Sequence, residues 1–324
     1  MVRQLSTAVD IHLDASDSTY RTGAAVRGHV VVTVNPYDAP FAHNGITLQA
    51  VGSVQLALGD SSVGILEALF SSIKPVPLLD HNLALAPAGR LPEGITRIPF
   101  EFPLTSASSS SPLFDTFHGA NIQIMYAVSA EVVRPVLRGG SLSTGLCEFL
   151  VETAVDVDGS RAVSGAAPLH FEISGEGQEF GSGGGTLHAQ GLDIRGCLDK
   201  SACFIEQPLT GHITVEKCPA RVLSIDLELC RIEGCTTAEG SNVSETSVVQ
   251  RTQVADGNAS LGLEIPIHVV LPRLYCCPSI QARTFSVSFL VRVMVVFASS
   301  VPGAANPVAV RTLPIRLVRG DLTE

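Results

Sequence analysis

The stretch GITRIPFEFPL (94–104) decides the fold, because a close relative of it returns far downstream as LGLEIPIHVVLPRL (261–274). In the first, Ile98, Phe100, Phe102 and Leu104 alternate with other residues; in the second, Ile265, Ile267, Val269 and Leu271 do the same. A period of two places all the apolar side chains on one face of a β-strand. Pro99 and Pro266 hold the same place in the two rows. The recurrence asks whether one core strand was copied together with a whole domain.

The neighbouring text keeps the same order twice. AAVRGHVVVTV (24–34), GITLQAVGSVQLAL (45–58), NIQIMYAVSAEVV (121–133) and LCEFLVETAV (146–155) each read as a strand bounded by Gly, Pro, Asn or Ser. Downstream, QPLTGHITVEK (207–217) echoes the first through its Gly-His, RVLSIDLELCRIEG (221–234) the second and FSVSFLVRVMVVF (285–297) the third. With the Ile-Pro pair, these are four echoes in one order, and chance alternation would not preserve it. Between the copies, the turn-rich DVDGSRAVSGAAP (156–168) and the glycine-rich SGEGQEFGSGGG (174–185) flank a short strand, LHFEI (169–173).

The expectation is an all-β chain of two tandem immunoglobulin-like β-sandwich domains, residues 1–157 and 158–324, with at most one short helix, an arrangement that resembles the arrestin fold. That helix is expected in SVGILEALFSSI (62–73), where Val63, Leu66, Leu69, Phe70 and Ile73 recur every three or four residues and Pro75 ends the pattern. An amphipathic helix of this kind caps its own sandwich or docks on a partner, the first being the plainer reading.

Composition fits the same picture. The 324 residues suffice for two domains with cores of their own, and 29 glycines and 19 prolines spread along a 45% apolar chain suit many short strands joined by turns. A net charge of -10, with 21 scattered Lys and Arg residues, offers nucleic acid no organised basic surface. The first residues, MVRQLSTAVDIHLDAS, lack the apolar run of a signal peptide, and Arg292 breaks the most apolar stretch, so the chain reads as cytoplasmic. The eight cysteines then read as reduced thiols, and the sequons at Asn242 and Asn258 as chance.

Motifs for chemistry are weak. The chain carries no G-x-S-x-G elbow, Walker loop, H-E-x-x-H or kinase set, and GEGQEFG has the wrong glycine spacing for a dinucleotide. Cys197 and Cys203, Cys230 and Cys235, and Cys276 and Cys277 lack the two-residue spacing that presents two thiolates to zinc. DVDG (156–159) lacks the remaining ligands of a calcium loop, and His118 has no nucleophile or carboxylate beside it in a recognisable motif. No enzyme, cofactor or metal is expected.

Taken together, SVGILEALFSSIKP, IPFEFPL, FHG, QPLTG, RIEGC, TQVADG and LPRLYCCP, in this order, resemble the arrestin-like small subunit of the retriever complex. This is the Down syndrome critical region protein family, paralogous to the retromer arrestin-like subunit, and the resemblance runs from about residue 8 to about residue 318. The serine run SASSSS (106–111) and the glycine-rich 175–185 depart from the family and put in doubt only contacts made through those loops. The resemblance implies a non-enzymatic subunit that binds an α-solenoid scaffold and a metallophosphoesterase-like subunit. It also implies work with cargo adaptors and peripheral membrane association at endosomes through the complex. A stand-alone alpha-arrestin-like adaptor is the alternative, although the chain has no Pro-Pro-x-Tyr motif.

The resemblance places the scaffold contact on the second domain. There a polar stretch, expected as a loop over 236–248, contains Glu239, Asn242 and Glu245, and the nearby LPRLYCCP adds Arg273, Leu274 and Tyr275. By the residues alone, a solvated hairpin tip and an interface are equally good readings; the resemblance favours the interface.

Overall fold

The computed structural model describes residues 7–56, 75–106, 112–134, 140–153, 157–174, 191–236, 242–257, 259–272, 275–299 and 305–320. The helix expected over 62–73, the serine run from 107 on and the glycine-rich 175–185 lie outside them. The chain divides into two compact units, Met1–His118 with Ile122–Ala154, and Gly119–Asn121 with Val155–Glu324.

In the first unit the strands are β1 (Ala8–Leu13), β2 (Thr19–Arg21), β3 (Ala25–Val34), β4 (Phe41–Leu56), β5 (Val76–Leu91) and β6 (Gly94–Pro103). They are followed by β7 (Phe117–His118), β8 (Ile122–Val133), β9 (Leu142–Ser143) and β10 (Cys147–Glu152). A small sheet has the order β1-β3-β6, and a larger one β2-β10-β8-β4-β5, with β7 and β9 also on β8. The β-branched, alternating β3 buries Val26, Val30, Val32 and Val34, and β6 buries Phe100 and Phe102 beside it. Phe149 meets Tyr20, Phe102 and Tyr126 at ring centroid distances of 5.8, 6.3 and 6.0 Å. The buried Tyr126 hydroxyl donates to the Phe114 carbonyl at 2.8 Å, which removes the cost of a polar tip in a core.

In the second unit the strands are β11 (Leu169–Ser174), β12 (Asp193–Leu198), β13 (Ala202–Phe204), β14 (Leu209–Lys217) and β15 (Val222–Thr236). The rest are β16 (Asn242–Asp256), β17 (Glu264–Val269), β18 (Ile280–Gln281), β19 (Phe285–Phe297) and β20 (Val308–Val318). The sheet orders are β11-β12-β14-β17 and β13-β20-β19-β15-β16, with β18 on β19. Strand by strand this repeats the first unit: β12, β14 and β17 stand for β1, β3 and β6, and β13, β20, β19, β15 and β16 for β2, β10, β8, β4 and β5. Even the one parallel pairing among the described residues of each unit recurs, β2 with β10 and β13 with β20. The Ile-Pro strands therefore fall on equivalent places, both at the edge of a small sheet, where a residue without an N–H is tolerated.

Two local readings change. The stretch over 156–168 is not all turn: residues Val157–Ser164 form a short helix, α1, which Gly165 ends by donating its amide to the Arg161 carbonyl at 2.9 Å. Val163 explains it, because it is buried against Ala202 and Val318, and this packing outweighs the low propensity of Gly159. A 3-10 turn, Pro36–Asp38, also forms; its N-cap Asn35 accepts the Tyr37 amide at 3.0 Å.

Candidate functional site

The polar stretch expected as a loop over 236–248 is strand from Asn242 onward, since β16 pairs with β15 from Thr236↔Asn242 to Ser224↔Asp256. An edge strand is held by its backbone ladder and needs no apolar row, so its polar sequence hides it. Residues 237–241, Glu239 among them, lie outside the described residues, and so do Arg273 and Leu274.

At the turn end of this hairpin Glu233 and Glu245 face each other across the ladder. Two like charges in such a pair repel. The fold separates their surroundings. Glu233, 2% exposed, takes the Arg231 Nε at 2.8 Å and the backbone amides of Ala120 and Asn121 at 2.9 and 2.7 Å. Glu245 is exposed and accepts from the side-chain amide of Asn121. Residues 119–121 belong to the second unit. Arg231, 7% exposed, also donates to the Tyr275 carbonyl at 3.4 Å, while the Tyr275 side chain stays outside at 57% exposure. A buried pair with this many partners offsets its own desolvation.

Of the six expected site residues, Glu245 and Tyr275 thus meet around one buried ion pair. Asn242 stands apart at the hairpin end, where its Oδ1 accepts the Thr236 hydroxyl at 2.9 Å. The sequence reading missed Arg231 and Glu233. Their signal was present in RIEG: two opposite charges two apart point to one face of an otherwise apolar strand.

A second charge cluster lies along the same sheet. Glu228 pairs with Arg251 at 2.9 Å and Arg292 at 3.2 Å from the two neighbouring strands, and Arg292 Nε donates to Cys230 Sγ at 3.1 Å. Arg292, which breaks the apolar run of β19, is therefore the answer to Glu228. His118 has a carboxylate after all: Glu148 Oε1 lies 2.8 Å from its Nε2, as a partly exposed surface pair. The eight cysteines are free thiols, six of them buried. Burial pushes Cys203 and Cys235 up to about 11 and Cys276 to about 12, so these sulfurs stay protonated at neutral pH.

This end of the second unit presents a long polar edge strand and an exposed tyrosine, both anchored by a buried ion pair. Two sandwiches of one topology in tandem define the arrestin-like class of protein. The chain belongs to the Vps26 family, vacuolar protein sorting-associated protein 26, which matches residues 4–300. It is 30% identical over 319 residues to "Vacuolar protein sorting-associated protein 26C" of Dictyostelium discoideum, covering 97% of this chain and 100% of that one. It is also similar to "Arrestin domain-containing protein 4" of Mus musculus, 33% identical over 153 residues, 45% of this chain and 35% of that one. Among the described residues, no helix is long and apolar enough to cross a membrane.

Proposed function

We propose that this chain is a non-enzymatic subunit of a retriever-type endosomal coat, binding an α-solenoid scaffold and supporting the recycling of membrane cargo. The observation that carries the reading is the end-to-end likeness to a 26C-type sorting protein, 97% of one chain on 100% of the other. The two domains act as rigid carriers, 1–157 and 158–324, and the complex includes a metallophosphoesterase-like subunit and recruits cargo adaptors. The chain itself is cytoplasmic and reaches endosomes peripherally, through its partners. The scaffold docks on the second domain through Glu239, Asn242, Glu245, Arg273, Leu274 and Tyr275.

A stand-alone adaptor of the alpha-arrestin kind is the second reading, favoured by the partial likeness to the mouse arrestin-domain protein. Purification of the tagged chain from its own cells, followed by mass spectrometry, separates the two. The coat reading requires a solenoid and a metallophosphoesterase-like protein in near-equal amount. Recovery of a ubiquitin ligase without either overturns it.

A further inference from the structure

Among the described residues of the first unit, two buried side-chain nitrogens have no hydrogen-bond partner, His43 Nδ1 and Arg134 Nε. Both lie beside Phe41. Phe41 and His43, two apart near the start of β4, are 2% and 6% exposed, and the guanidinium carbon of Arg134, the residue after β8, lies 4.1 Å over the Phe41 ring. The ring covers one face of the guanidinium, which leaves its in-plane N–H edges free to donate.

The fold treats other withdrawn arginines differently. Arg231, Arg292 and Arg319 each have a carboxylate within 3.2 Å, whereas among the described residues none pairs with the half-buried Arg134. A buried donor left open is costly, and two of them beside one ring mark a place for a shared acceptor.

We propose that Arg134 and His43 form a binding site for a singly charged carboxylate, either a small free acid or an acidic side chain of a partner protein. Shape and charge select this class. The Nε edge of a guanidinium presents two parallel N–H groups that match the two oxygens of a carboxylate, and Nδ1–H of His43 adds a third donor. Burial disfavours the charged form of His43, so the ring supplies a donor without a second positive charge. One arginine then balances one negative charge; a phosphate dianion would keep an unbalanced charge beside Phe41 and the buried Leu91 opposite it. Gly89, which faces His43 across the β4–β5 ladder, keeps the ring clear, since even an added Cβ there would lie 3.6 Å from Nε2. This inference concerns the first unit and does not depend on the coat assignment.

The test uses the full chain with isotope-labelled histidine. The ring nitrogens of His43, assigned by their loss in His43→Gln, are followed by NMR while acetate, the amidated peptide acetyl-Gly-Glu-Gly or inorganic phosphate replaces chloride at constant ionic strength. A saturable shift is expected with acetate, which marks a free acid as occupant, or with the peptide, which marks an acidic side chain, and phosphate binds several-fold more weakly than either. Arg134→Gln weakens carboxylate binding about tenfold or more, and Arg134→Lys, which keeps the charge and loses the fork, several-fold. The absence of a saturable shift with both carboxylates overturns the proposal and leaves water as the partner of both nitrogens. So does binding of phosphate as tight as that of the carboxylates, or binding unchanged in the two Arg134 variants.

Discussion

His212 stands opposite Pro266 across the β14–β17 ladder, and one copy earlier His29 stands opposite Pro99 across β3–β6. The Gly-His and Ile-Pro echoes are thus two sides of a single register, fixed in both sandwiches. The glycine has a physical cause. An added Cβ would lie 2.4 Å from the His12 carbonyl oxygen at Gly28, and 2.2 Å from the Cys197 carbonyl oxygen at Gly211.

Gly28→Ala and Gly211→Ala are each expected to destabilise the protein by about 1–3 kcal/mol in urea unfolding, because the obstacle is neighbouring backbone. Gly145→Ala is the control, since nothing lies within 4 Å of a Cβ there. Equal midpoints for all three would contradict the close-approach argument.

Removing Glu233 leaves Arg231 buried without its carboxylate and strips the acceptor from two backbone amides. Glu233→Ala should cost about 3–5 kcal/mol, while Arg231→Met with Glu233→Leu recovers part of that loss. Denaturant midpoints of the two variants decide it; a double variant weaker than the single one contradicts the account.

His43 is buried, with Nδ1 lacking a hydrogen-bond partner, and desolvation holds its pKa below the ordinary 6.5. Below pH 6.5 the unfolded chain takes up a proton that the fold resists, so stability falls as pH drops from there. The urea midpoint should decline between pH 7 and 5, and less steeply in His43→Gln. Parallel pH profiles for the two proteins would show that His43 is not the cause.

Strands with one well-buried face were legible in the sequence, and two edge strands without such a face were not. β3, β6, β8 and β19 bury one face, which imprints a clean alternation of apolar residues such as Phe100, Phe102 and Val287, Phe289, Val291. β5 and β16 lie at sheet edges, where backbone pairing suffices; Pro77 and Pro87 interrupt the one, and polar residues fill both faces of the other. Helix α1 was hidden because one long-range contact, Val163 in its apolar cluster, decides it. The candidate site was half legible. Exposure and residue type pointed to Glu245 and Tyr275, but their common anchor, Arg231 with Glu233, emerges only when the hairpin register brings strand, tripeptide and loop together.

Docking of a solenoid at the hairpin end is tested most directly by purifying the tagged chain from its own cells, beside a variant with Arg273→Glu and a turn shortened within 237–241. The account predicts that the solenoid and the metallophosphoesterase-like subunit accompany the native chain and are lost from the variant, while the melting curves of the two isolated proteins coincide. A variant that keeps both partners would place the interface elsewhere, and a native chain that brings no solenoid would contradict the assignment to a coat.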